Sequence, residues 1–108
     1  MISYDDFAKL EARIGKVVDA EKVPDTDKLL KLSVDVGEEK PRQIISGIAE
    51  HVSPEDIIGK SYPFLVNLEP RVIRGHESQG MILAVGTPEG DFALLEPHVT
   101  VPPGSSIR

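Results

Sequence analysis

The chain has 108 residues, a net charge of −6 and no cysteine. Leu, Ile, Val and Phe supply 33 residues, which excludes an intrinsically disordered chain. A disulfide scaffold, a thiol nucleophile and a Cys-ligated zinc are excluded as well. No apolar run approaches the ~18 residues of a membrane-spanning helix. The opening Met1-Ile2-Ser3-Tyr4-Asp5-Asp6 is acidic where a secretory leader is basic, so no signal peptide is expected and a cytoplasmic address fits. Residues 1–54 and 55–108 each carry −3, so neither half offers a basic face. On composition alone this speaks against nucleic acid, and only a local cluster of cations could reverse it.

At the N-terminus, Ser3 with Asp6 three residues on makes a capping-box start. Phe7 and Leu10 follow at i, i+3 spacing, and a short helix is expected over 4–11. A first strand is expected over 14–22, where Gly15 suggests a bulge or tight bend. Pro24-Asp25-Thr26-Asp27 is turn chemistry. Over 29–36, Leu30, Leu32, Val34 and Val36 alternate with Lys31, Ser33 and Asp35, a clear strand. A loop over 37–41 leads to a returning strand at 43–46. Ser53 as N-cap, Pro54 at N1, an acid at N3 and Gly59 at the end define a second short helix. Strands are expected at 61–68, 80–85 and 92–96, followed by an extended Pro-rich tail. Val, Ile and Thr number 24, and frequent Gly and Pro punctuate them, as in an all-β domain. The order helix, three strands, short helix, more strands matches a five-stranded OB-fold barrel with its helix between strands 3 and 4. One domain over 1–108 is expected, with no room for a second core.

No catalytic constellation emerges. His51, His76 and His98 stand 25 and 22 residues apart, too far for a local metal-ligand motif. Ser46-Gly47 lacks the glycine that would precede it in a nucleophile elbow. There is no phosphate-cradling glycine loop. The pairs Asp5-Asp6 and Asp25/Asp27 are explained by a helix N-terminus and a turn. No enzyme activity, metal or cofactor is expected.

The most unusual stretch is Asn67-Leu68-Glu69-Pro70-Arg71-Val72-Ile73-Arg74-Gly75-His76-Glu77-Ser78-Gln79-Gly80-Met81. It reads as one polar loop between two strands, with two arginines balanced by two glutamates. Such a mixture suits polar readout of phosphate and base edges better than bulk attraction.

These residues resemble a known family. Asn67-Leu68-x-Pro70-Arg71-x-x-Arg74-Gly75-x-x-Ser78-Gln79-Gly80-Met81 is similar to the motif of the tRNA-binding domain found at the C-terminus of methionyl-tRNA synthetases, in small free-standing tRNA-binding proteins and in the endothelial-monocyte-activating polypeptide group. Pro24-Asp25-Thr26-Asp27-Lys28-Leu29 and Ile45-Ser46-Gly47-Ile48 match two further blocks in order, and Asp5-Asp6-Phe7-x-Lys9-Leu10-x-x-Arg13-Ile14-Gly15 resembles the synthetase version of the opening. The resemblance covers nearly the whole chain. It implies an OB-fold that binds tRNA in a structure-directed way, without reading one anticodon. It also implies a homodimer built through the terminal segments, and a helper role that raises the tRNA affinity of a methionyl-tRNA synthetase in protein biosynthesis. The chain is expected to be free-standing or excised from such a synthetase.

Lys28, Lys31, Ser46, Asn67, Arg71, Arg74, Ser78, Gln79 and Met81 are the candidate tRNA-binding residues. Arg71 and Arg74 suit phosphate contact, Ser78 and Gln79 RNA contact or loop satisfaction, and Met81 the core or a platform for a base. Asn67 caps its turn or binds. Phe7 and Leu10 are expected at the dimer interface. Glu69, Val72 and Thr26 depart from residues common in the family, so one subunit should bind weakly and a dimer should offset this. Aromatic residues are few, which speaks against a general single-strand binder. The alternative class is a dimeric OB-fold export chaperone for unfolded polypeptide; that group resembles the opening and barrel but generally lacks the Ser-Gln-Gly-Met block of 78–81. A purely structural assembly module is the remaining reading.

Overall fold

A computed structural model describes residues 1–108. In chain order it contains α1 (Tyr4–Phe7), β1 (Ala12–Lys22), β2 (Leu30–Asp35), β3 (Arg42–Ser46), α2 (Pro54–Ile57), β4 (Ser61–Leu65), β5 (Arg71–Ile73), β6 (His76–Ser78), β7 (Met81–Ile82), β8 (Ala84–Gly86), β9 (Phe92–Leu94) and β10 (Ser106–Ile107). The antiparallel order β3-β2-β1-β4-β7 gives a nearly closed five-stranded barrel, and α2 lies between its third and fourth strands. This is the expected all-β OB-fold architecture. No helix is long and apolar enough to cross a membrane.

The alternation on β2 builds the core. Leu30, Leu32, Val34 and Val36 are fully buried, while Lys31, Ser33 and Asp35 stay at the half-exposed surface. Val17, Ile44, Ile57 and Phe64 close over them from neighbouring elements. Burying one such side chain contributes about 1.5–3 kcal/mol. Gly15 does not bulge. A Cβ there would lie 2.5 Å from Val34 Cγ1 and 2.7 Å from Phe64 Cδ1, so the absent side chain is what lets β2 and β4 side chains meet across β1. The bulge sits three residues on, where the β1–β2 register skips Val18 between Val17 and Asp19.

Other boundaries also shift. The capping box forms as expected, with Ser3 Oγ accepting from Asp6 N and the Asp6 carboxylate accepting from Ser3 N. The helix nevertheless stops at Phe7 instead of reaching 11, because the next residues turn toward β1 and Leu10 N bonds back to Phe7 O at 3.0 Å. Ser53 precedes α2 without a side-chain cap bond. The Pro-rich tail does not simply trail: β10 pairs with the start of β1, Ala12 opposite Ile107. The 67–81 stretch is not an open loop either; it contains the β5–β6 hairpin.

Candidate nucleic-acid interface

The hairpin pairs Arg71 with Ser78, Val72 with Glu77 and Ile73 with His76, leaving Arg74-Gly75 as a two-residue turn. Both turn residues have positive φ, 53° and 81°, the requirement of a type I′ connection. Glycine adopts this freely, but arginine is strained in it. Arg74 therefore stands exposed at the hairpin tip, held by strands on both sides.

Strand β6 docks along the outer edge of β3. Gln79 N donates to Gln43 O at 2.8 Å, and Gln43 N donates to Gln79 Oε1 at 3.1 Å. Gln43 Nε2 reaches Glu77 O at 2.9 Å. Ser78 is 5% exposed; its hydroxyl accepts from Ile45 N at 3.0 Å and donates to Gly80 O at 3.1 Å. The polar groups of Ser78 and Gln79 are thus engaged inside the chain, fastening the hairpin. Asn67 is similarly engaged: its Oδ1 accepts from Glu11 N and its Nδ2 donates to Lys9 O, both at 2.7 Å. It ties the N-terminal arm to the start of the hairpin segment.

Four of the twelve Lys and Arg side chains are held by salt bridges, and Lys28, Arg71 and Arg74 are among the eight that are not. Lys9, Arg13, Lys31 and Arg42 form salt bridges, with Asp6, Glu11, Glu21 and Glu38 respectively. Lys31 hydrogen-bonds Glu21 at 2.8 Å and holds that carboxyl below its ordinary value. Lys28, Arg71 and Arg74 are exposed and carry no such partner. Lys28 and Arg74 line one cleft of about 360 Å³ between the β1–β2 loop and the hairpin tip, together with Thr26, Asp27, Leu29 and Ile73. The backbone there is fixed, since Lys28 O accepts from Ala49 N at 2.9 Å. Ser46, half-buried at the end of β3, pairs in register with Leu30 beside the same loop. Arg71 and Met81 share a small cavity of about 80 Å³ with Leu68, Ile73 and Ser78. Met81 is 44% exposed there, a half-open apolar surface and not a core residue.

The largest concavity, about 820 Å³, lies elsewhere, between the 96–103 segment and β1. Its rim mixes Lys16 and Lys60 with Asp35 and Glu96, so it offers no net cationic surface. Phe7 and Leu10 lie on the exposed arm with Ile2 and Tyr4, away from any core contact that would bury them. Sequence reasoning missed Arg42 and Gln43, which hold the hairpin from β3. Their signal was absent because each reads as an ordinary polar residue on a surface strand.

The β1–β2 loop and the segment between β4 and β7 are the loops with which OB-fold barrels bind oligonucleotides and oligosaccharides, and here they carry Lys28, Arg71 and Arg74. The comparisons narrow this. A family model described as "Putative tRNA binding domain" matches residues 12–106, and the chain belongs to that family. A methionine–tRNA ligase of Flavobacterium psychrophilum is 54% identical over 99 residues, covering 92% of this chain and 14% of the ligase. The chain thus spans about one seventh of that relative. The crystal structure of a MetRS related protein from Pyrococcus horikoshii superposes with TM-score 0.94 at 39% identity, covering 100% of this chain and 98% of the other. That of the chaperone CsaA from Bacillus anthracis gives TM-score 0.89 at 33% identity, covering 100% and 99%.

Proposed function

We propose that residues 1–108 act as one tRNA-binding unit that recognises tRNA by its structure and raises the tRNA affinity of a methionine–tRNA ligase in the cytoplasm, in cis or in trans. The observation that carries this reading is the cleft shared by Lys28 and Arg74. These residues come from two motifs 46 positions apart, both are unpaired, and the fold brings them together. A phosphodiester backbone laid across the cleft meets two cations without first breaking a salt bridge. Arg71 extends the contact along the hairpin. Met81 offers an apolar surface to a base, and Lys31 and Ser46 flank the path. Asn67, Ser78 and Gln79 serve the same binding by fixing the hairpin. A homodimer through Phe7 and Leu10 presents two such sites to one ligand and offsets weak binding by each.

The resemblance to the Bacillus anthracis chaperone supports a second reading, binding of unfolded polypeptide. Filter-binding titrations with tRNA and with an unfolded polypeptide client separate the two. The first reading predicts saturable tRNA retention that the client does not displace. Client binding without tRNA retention contradicts it.

A further inference from the structure

The hydrogen bonds of Arg42 converge on the base of the hairpin segment. Its Nη1 donates to the carbonyl of Val66, where the segment leaves the barrel, and to the carbonyl of Gln79 at 3.0 Å, where it returns. The same guanidinium forks onto the Glu38 carboxylate, Nε to Oε1 and Nη2 to Oε2, each at 2.8 Å. Planar bidentate pairing of this kind fixes orientation as well as charge. The pair is only partly open to water, with the Arg42 side chain 23% exposed and that of Glu38 36%. The charge of Arg42 is thus answered locally, unlike those of Lys28, Arg71 and Arg74.

We propose that Arg42, oriented by Glu38, is a positioning residue for RNA recognition: it pins both ends of the 67–79 segment, so that the hairpin holds Arg71 and Arg74 in the geometry that binds phosphate. The proposal rests on the tRNA-binding reading and adds to it a residue pair that lies outside the three matched motifs. Two loop ends held by one guanidinium cannot drift apart independently. Loosening that anchor leaves every phosphate-binding cation in the chain but spreads their positions, so binding must first restore order.

The test turns on sign. Glu38→Gln removes a negative charge from a protein that binds a polyanion. Field effects alone make tRNA binding tighter. Loss of the anchor makes it weaker. The expected result is a ~3–10-fold rise in Kd for tRNA, with the slope of log affinity against log salt unchanged because no phosphate contact is removed. Amide exchange over 71–78 should quicken. Glu39→Gln, the same charge change on an exposed neighbour, should leave Kd equal or lower. Arg42→Lys keeps the charge but lacks the fork, and should weaken binding in the same way if Glu38→Gln unfolds. Tighter or unchanged binding by Glu38→Gln, in a wild-type chain that does bind tRNA, overturns the positioning role alone. A wild-type chain that retains no tRNA overturns the functional reading, and the positioning role falls with it.

Discussion

On the proposed function, Arg74 is the residue where folding and binding make opposite demands. Its φ of 53° places a long side chain in the left-handed region, at a cost of about 1–2 kcal/mol. Asn-Gly is the favoured pair for such a turn. Arg74→Asn should therefore raise stability by about 0.5–1 kcal/mol in a denaturant titration. It should also lower tRNA affinity by about 1–2 kcal/mol, the value of one charge-assisted contact. Opposite signs for stability and affinity identify a strained binding residue; equal signs identify an ordinary turn residue. Ser78 is the converse. Its hydroxyl satisfies Ile45 N beneath the hairpin, so Ser78→Ala leaves a buried donor without a partner. The expected loss is about 1–3 kcal/mol of folding stability, read from the denaturant midpoint.

The elements legible in the sequence are those with an uninterrupted physical period. The β2 alternation from Leu30 to Val36 and the Ser3–Asp6 capping box both appear as read. The β5–β6 hairpin was not legible. Its strands are three residues long, too short for a period of two, and its turn is Arg-Gly where Asn-Gly is the usual sign. Gly15 misled because a glycine inside a strand signals either a bulge or a close approach, and only the positions of Val34 and Phe64 decide between them. On β4, Tyr62 is 2% exposed, and burial, followed by the carboxylates of Glu96 and Asp56, pushes its phenol up to about 12 from 10.0. The unfolded phenol loses its proton near pH 10 while the folded one keeps it. Stability from this group is therefore complete below pH 10 and is lost as pH rises toward 12, by roughly 2 kcal/mol. Denaturant midpoints at pH 9 and pH 11.5 should differ more in the wild type than in Tyr62→Phe. Equal differences would contradict the assignment.

At the scale of the whole molecule, residues 1–10 lie on the surface, and Ile2, Tyr4, Phe7 and Leu10 are 73%, 78%, 44% and 45% exposed. An apolar arm of this kind, tied to the barrel by Asn67, fits a two-fold contact. Sedimentation at about micromolar concentration should give twice the 11.8 kDa chain mass, and a clean monomer would contradict the dimer. The net charge of −6 does not show which cations are free, because composition cannot see pairing. Four of the twelve cations are held by salt bridges; Lys28, Arg71 and Arg74 are among the eight that are not, and they are the ones the fold gathers at the hairpin and the β1–β2 loop. The central claim is that recognition belongs to the cleft at the hairpin and not to the field of the whole protein. Parallel tRNA titrations of Arg74→Ala and Lys60→Ala test it most directly, because Lys60 carries the same charge on the separate concavity beside β1. The account predicts a loss of about 1–2 kcal/mol for Arg74→Ala and almost none for Lys60→Ala. Equal losses would contradict it.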